Sequence, residues 1–310
     1  MNLQVGIFSL FTIIAGVLVH GSLKDVIGLA GVLGYAPVGT FAGAPSGSDY
    51  YSHILLIPFV SVYFLFEQRK KILQGARYCV SGLAVVASGL LVYGVALWLR
   101  DWLGQNDFAS LATAGSLIFW WGGFLLAFGP EAFKTARFPL LFLLFAVPVP
   151  QFLLEGFIRI LQIGSTEVTE WLFQLTGTDY IRNGFVYRLP GITIEVAKEC
   201  SGIRSSIALI ITGVLAGHLF LRSGCRKLIL LLTIVPFTIF KNGIRIVTLS
   251  LLAIYVDRKF ITDSFLHHSG GFVFYLPALA MLGGVLWWLR RWEQQAKVEV
   301  EVEESKTVNE

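Results

Sequence analysis

The stretch at 196–217, VAKECSGIRSSIALIITGVLAG, sets Glu199, Cys200 and Arg204 at the head of an apolar run. From Ser205 that run meets no Asp, Glu, Lys or Arg until Arg222, and about 20 residues of helix cross about 30 Å of hydrocarbon. It reads as a membrane helix with a thiol, an acid and a guanidinium at its mouth. What those groups do depends on which side of the membrane they face and on what meets them there.

The rest of the 310-residue chain has the same character. Hydrophobic side chains make up 55% and charged ones only 14%, with a mean hydropathy of +0.71, which excludes a soluble globular protein. The net charge of +4 is small and its basic residues sit in short clusters between apolar runs, so nucleic acid is not an expected partner and the lipid bilayer is. Eight apolar runs read as membrane helices, at 5–20, 53–66, 78–99, 109–128, 138–154, 201–221, 228–255 and 270–289, the second and fifth of them short. The expected fold is therefore an all-α polytopic membrane protein of about eight transmembrane helices. A Gly-rich apolar segment at 30–44 reads as a re-entrant loop or an interfacial helix. Residues 1–292 form one expected integral-membrane domain, and 293–310, EQQAKVEVEVEESKTVNE, an acidic disordered cytoplasmic tail. The first run has no small-residue cleavage site and reads as a retained helix.

The Lys and Arg clusters at 69–71, 222–227 and 290–291 fall in alternate loops on one side, which places both termini in the cytoplasm. Cys200 then lies at the outer end of the sixth helix, and FKNGIRIVTL, 240–249, in the outer half of the seventh. Asn242 and Arg245 share a helical face there, and His267 and His268 precede the eighth helix on the same outer side. Short alternating runs within 179–196 predict a small extracytoplasmic hairpin, or a plain loop cover, between helices 5 and 6.

This convergence has a chemistry. A thiolate at a helix N-terminus near cations is stabilised by dipole and charge, which Cys200 and Arg204 satisfy, whereas Glu199 works against it unless a cation pairs it. A histidine takes the thiol proton or protonates a leaving amine, and an arginine kept inside a membrane steadies an oxyanion or gives a proton. The reaction class is acyl transfer through a thioester. Each residue also has a plain structural reading: a packed cysteine, a snorkelling arginine, interfacial histidines. Cys79 and Cys225 lie on the reducing side with no expected role or disulfide. No carboxylates accompany the histidines at metal-ligand spacing, so neither metal nor cofactor is expected.

ECSGIRSS (199–206), NGIRI (242–246) and HHSGG (267–271) resemble the three signature motifs of the exosortase/archaeosortase family of membrane cysteine transpeptidases. The resemblance extends through SDYYSHILLIPFVSVYFLFEQRKK (48–71), FPLLFLLFAVPVP (138–150) and TGTDYIRNGFVYRLPGITIEVAKECSG (176–202), in order, and a histidine in the third motif is similar to the bacterial exosortase branch. It implies that Cys200 forms the acyl-enzyme and that Arg245 donates a proton or stabilises charge. Either His267 or His268 completes the site; His267, four residues before Gly271, is the first choice. Arg204, Asn242, Ser52 and His53 are supporting candidates. The implied partners are membrane-anchored proteins with a C-terminal tripartite sorting signal of the PEP-CTERM kind, and the implied place is the bacterial inner membrane. The alternative from the residues alone is a transporter or assembly factor for exported polysaccharide, with Arg245 and His267 lining a pathway; the paired broken helices of an internal repeat are not evident.

Overall fold

A computed structural model describes residues 2–27, 54, 56–196, 203–257, 259 and 270–307. The protein is mostly helical and divides into two compact units, Met1–Leu154 and Glu155–Glu310. The membrane-protein class expected from composition holds, while the number of spans differs. Among the described residues, four helices are long and apolar enough to cross a membrane, or five if one bent pair counts as a single span.

The first unit holds α1 (Asn2–Ile27), α2 (Leu56–Gln74), α3 (Gly82–Trp98), α4 (Gln105–Thr135), α5 (Arg137–Phe142) and a 3-10 turn (Leu143–Ala146). Helices α3 and α4 approach on glycines: a Cβ on Gly89 would fall 2.3 Å from the Phe119 nitrogen, and one on Gly122 2.5 Å from the Val86 nitrogen. Close backbone contact of this kind substitutes for the hydrophobic drive that a bilayer does not supply between helices. Helix α4 kinks at Gly129, which takes φ +81 before Pro130. Phe8 of α1 lies against Trp120, Phe124 and Phe128 of α4, with centroids 5.2–5.4 Å away. A cavity of about 500 Å³ sits among α1, α2, α4 and the 3-10 turn, with an almost wholly apolar lining.

The second unit holds α6 (Gln151–Leu175), β1 (Ile181–Asn183), β2 (Val186–Leu189), β3 (Ile192–Glu195), α7 (Ile203–Phe220), α8 (Gly224–Leu232), α9 (Ile234–Tyr255) and α10 (Gly270–Thr307). The strands form an antiparallel meander, with Asn183 opposite Val186 and Leu189 opposite Ile192. Each two-residue turn has the glycine it needs, Gly184 at φ +62 and Gly191, after Pro190, at φ +78. Leu209, Leu230, Ile234, Ala278, Leu282 and Leu289 pack α7, α8, α9 and α10 together.

Three sequence expectations are corrected here. The eight runs do not give eight spans: α3 has 17 residues, the apolar part of α7 runs only from Ser205 to Phe220, and α2 is interrupted by Glu67, Arg69, Lys70 and Lys71. The run at 138–154 breaks at Pro148 and Pro150, and the helical pieces on either side, Arg137–Ala146 and Gln151–Leu175, are bent by 84°. The second piece, α6, starts inside this run and continues for 25 residues to Leu175, and the chain then reaches α7 through a three-stranded meander, more than a hairpin or loop. Helix α10 also continues to Thr307, through the tail whose composition reads as disordered. Glu, Gln and Lys are good helix formers, and a helix already nucleated at Gly270 extends through them without a new nucleation cost. The segment at 30–44 lies outside the described residues.

Candidate active site

Of the site residues expected from sequence, Asn242 and Arg245 are described in full, both on α9. Arg204 is in the first turn of α7, with only its backbone described. Cys200, His267, His268, Ser52 and His53 lie outside the described residues. Cys200 precedes Ile203, the first residue of α7, by three positions.

The interior around Arg245 is polar. On α6, Gln162, Ser165, Thr166 and Thr169 are all buried, at the i, i+3, i+4, i+7 spacing of one helical face. On α9, Thr238, Lys241, Asn242 and Arg245 repeat that spacing, the first three buried and Arg245 half-buried. The two faces meet. Asn242 Nδ2 donates to Ser165 Oγ at 3.0 Å, Gly243 lies against Val168, and Ile239 against Gly164. Lys241 Nζ donates to Ser205 Oγ, which ties α9 to the first turn of α7.

Both flanks of the segment that carries Cys200 are held in the same interior. Val196 is buried, its nitrogen donates to the Phe185 carbonyl at 2.9 Å, and its carbonyl accepts from Gln162 Nε2 at 2.6 Å. On the far side Ile203 and Ser206 are buried. The meander is anchored to α6 through Arg182, which donates to Glu170 and, at 2.7 Å, to Glu167, while the Tyr187 hydroxyl donates to the Thr166 carbonyl at 2.7 Å. The bond to Glu167 holds the Arg182 guanidinium further into its charged form, and burial pushes the Tyr187 phenol above the usual tyrosine value. Among the described residues, Asn242 Oδ1 and Thr169 Oγ1 are buried with no hydrogen-bond partner.

The family model for transmembrane exosortases (Exosortase_EpsH) matches residues 45–294. The chain belongs to this family. Searches of curated proteins and of solved structures return no match. The exosortase match takes in all three motifs, both polar helix faces and the meander, and it begins after α1. Among the described residues, the lining of the cavity in the first unit includes neither Asn242 nor Arg245.

Sequence reading overlooked several members of this interior. Lys241 stands next to Asn242 and one turn before Arg245; Ser205 on α7 is its partner, and Ser165 on α6 is the partner of Asn242. The signal that finds them is periodic: polar residues inside an exosortase helix that recur at helical spacing mark a face turned to protein, because lipid offers them no partner.

Proposed function

We propose that this exosortase is a membrane cysteine transpeptidase that cuts a C-terminal sorting signal of exported proteins through a thioester on Cys200. The observation that carries the reading is the polar seam between α6 and α9, which carries Arg245 and is bonded to the first turn of the helix that Cys200 precedes. A membrane chain that buries amide, hydroxyl and cationic groups together has met a cost that lipid-facing packing avoids. A reaction in which negative charge develops gives those groups a use.

In the proposed mechanism the Cys200 thiolate attacks the scissile carbonyl carbon. Arg245 steadies the oxyanion, and His267, or His268 one residue on, moves the proton from thiol to leaving amine. Arg204 supports the thiolate, and the Ser165 bond to Asn242 fixes the turn of α9 that presents Arg245. Ser52 and His53 are proposed as further supporting residues. The substrates are membrane-anchored proteins ending in a short motif, an apolar helix and a basic cluster, of the PEP-CTERM kind. Anchoring confines the scissile bond to the depth of the site and lowers the entropic cost of attack. The acyl group passes to an amine or to water. The enzyme lies in the bacterial inner membrane with both termini cytoplasmic and the site outside.

The test is processing of a reporter that carries such a signal, co-expressed with the enzyme. Cys200→Ala and Cys200→Ser are expected to insert normally and to leave the reporter uncut, because a hydroxyl is a far poorer nucleophile than a thiolate at neutral pH. Processing by Cys200→Ala would refute the thioester mechanism.

A further inference from the structure

We propose that Lys241 is a positioning residue of the acyl-transfer site, which acts through the Ser205 hydroxyl to hold negative charge at the head of α7. The inference rests on the function proposed above and adds to it a residue that the three sequence motifs do not assign. Lys241 is only 5% exposed and lies within the apolar stretch Gly224–Tyr255. Its ammonium donates to Ser205 Oγ, and the charged side chain that acts on it is Arg245, of the same sign, one turn away on the same face. Among the described residues no carboxylate pairs with it, although ion pairs do form elsewhere in the unit, on Arg182 and Arg226.

A lysine kept only to fasten α9 to α7 would be a poor choice. A buried charge is costly unless an opposite charge compensates it, and an apolar side chain of the same length would fill the space without that cost. Two like charges one turn apart add to the penalty. The arrangement becomes favourable when an anion arrives, and acyl transfer generates one twice, as the thiolate before attack and as the oxyanion after it. In the acylation step the Cys200 sulfur bonds to the carbonyl carbon and the C=O pair moves onto oxygen. As that pair returns, the C–N bond breaks and the amine leaves with the proton delivered by the histidine. Lys241 exchanges no proton with the reacting atoms in this sequence.

Ser205 is the link. Its Oγ accepts from the ammonium, which polarises its own O–H toward a stronger donor at the first turn of α7. The N-terminal end of that helix already carries partial positive charge. Lys241, Ser205 and the helix terminus thus act in one direction, and Arg245 joins them from the next turn of α9.

The experiment uses full-length enzyme with Cys79 and Cys225 replaced by serine, so that alkylation reports Cys200 alone. Alkylation rate against pH gives the thiolate midpoint, and reporter processing gives kcat and KM. Lys241→Met, close in shape and without the charge, is expected to raise the midpoint by about one pH unit and to lower kcat about tenfold or more with KM nearly unchanged. Lys241→Arg is expected to restore the midpoint. A folded Lys241→Met enzyme with the parent midpoint and turnover overturns the proposal. Should that variant fail to accumulate, Ser205→Ala carries the same two readouts: a smaller upward shift supports the link, and none refutes it. Processing by Cys200→Ala would sink the underlying function, whereas a dead Cys200→Ala beside a normal Lys241→Met sinks this inference alone.

Discussion

Gly243→Ala tests whether the contact between α6 and α9 sets the geometry of the site. An alanine Cβ at this position would lie 2.5 Å from Val168 Cγ1, 3.0 Å from Val168 Cβ and 3.4 Å from the Thr169 nitrogen. Carbon atoms rest at about 3.5–4.0 Å, so α9 must withdraw by about 1 Å or Val168 must give way. Withdrawal stretches the Asn242–Ser165 bond from 3.0 Å beyond hydrogen-bond range and carries Arg245 with it. Overpacking of this kind costs about 1–3 kcal/mol, and a buried amide stripped of its partner about 1–3 kcal/mol more. A displacement near 1 Å at a positioned group lowers turnover by roughly a hundredfold. Thermal unfolding in detergent and reporter processing measure the two effects. Val168→Ala removes the nearest obstructing methyl group and leaves Cβ at 3.0 Å, so Gly243→Ala with Val168→Ala is expected to recover part of the lost activity, a non-additivity diagnostic of direct contact. Parent-like stability and turnover in Gly243→Ala, or no recovery in the double variant, would refute the seam as the element that places Arg245.

Arg245→Lys is expected to lose about a hundredfold or more in turnover, since an ammonium does not reproduce the planar donor fork; near-parental rates would remove Arg245 from the mechanism. A His267 substitution should block processing while His268→Ala stays near normal, and the reverse would move the working histidine by one residue. A membrane-impermeant thiol reagent added outside should reach Cys200 and leave the exposed Cys225 unlabelled; outside labelling of Cys225 would invert the topology. Burial raises the Tyr187 phenol above its unfolded value, so the neutral form is favoured in the fold and its contribution is complete below about pH 10, then declines as pH rises further. Thermal unfolding across pH 9–11 should therefore show a smaller alkaline loss in Tyr187→Phe than in the parent, and identical slopes would contradict the assignment.

The sequence was most legible where one physical requirement dominated. The runs at 5–20, 109–128, 228–255 and 270–289 fall on α1, α4, α8 with α9, and α10, because a long uncharged segment has few alternatives to a helix in lipid. Helix α6 was illegible by that criterion. Glu155, Arg159, Glu167 and Glu170 interrupt its hydropathy, and its apolar residues follow a helical period in place of a continuous run. The alternating pattern at 181–195 did signal strands, and Gly184 and Gly191 marked its turns, but two turns in fifteen residues meant three strands and not two. In the site, the shared face of Asn242 and Arg245 followed from their spacing alone. Lys241 did not, because a basic residue inside an apolar run shows no role until its partner on α7 is known.

The seam has a further consequence for how this exosortase tolerates change. Between membrane helices the association energy comes from close packing and hydrogen bonds, since lipid already solvates apolar surfaces. In the second unit those terms lie at Gly164, Ser165, Gly243, Asn242 and the Lys241–Ser205 pair, the same residues that set the position of Arg245 and the head of α7. Stability and activity are then drawn from one set of contacts, so substitutions there should lower both together. The network among Arg222, Ser223, Arg226 and Glu293 is the control. Glu293 accepts from the Arg222 and Ser223 nitrogens at 3.1 and 2.8 Å and from Arg226 at 3.1 Å, closing α10 onto the start of α8 without touching a candidate site residue. Glu293→Ala should cost about 1–3 kcal/mol from the lost charge-assisted bonds while the kcat of the remaining folded enzyme stays close to parental. A seam substitution that lowered stability and left kcat untouched, as Glu293→Ala is expected to do, would show that the α6–α9 contact is scaffold alone.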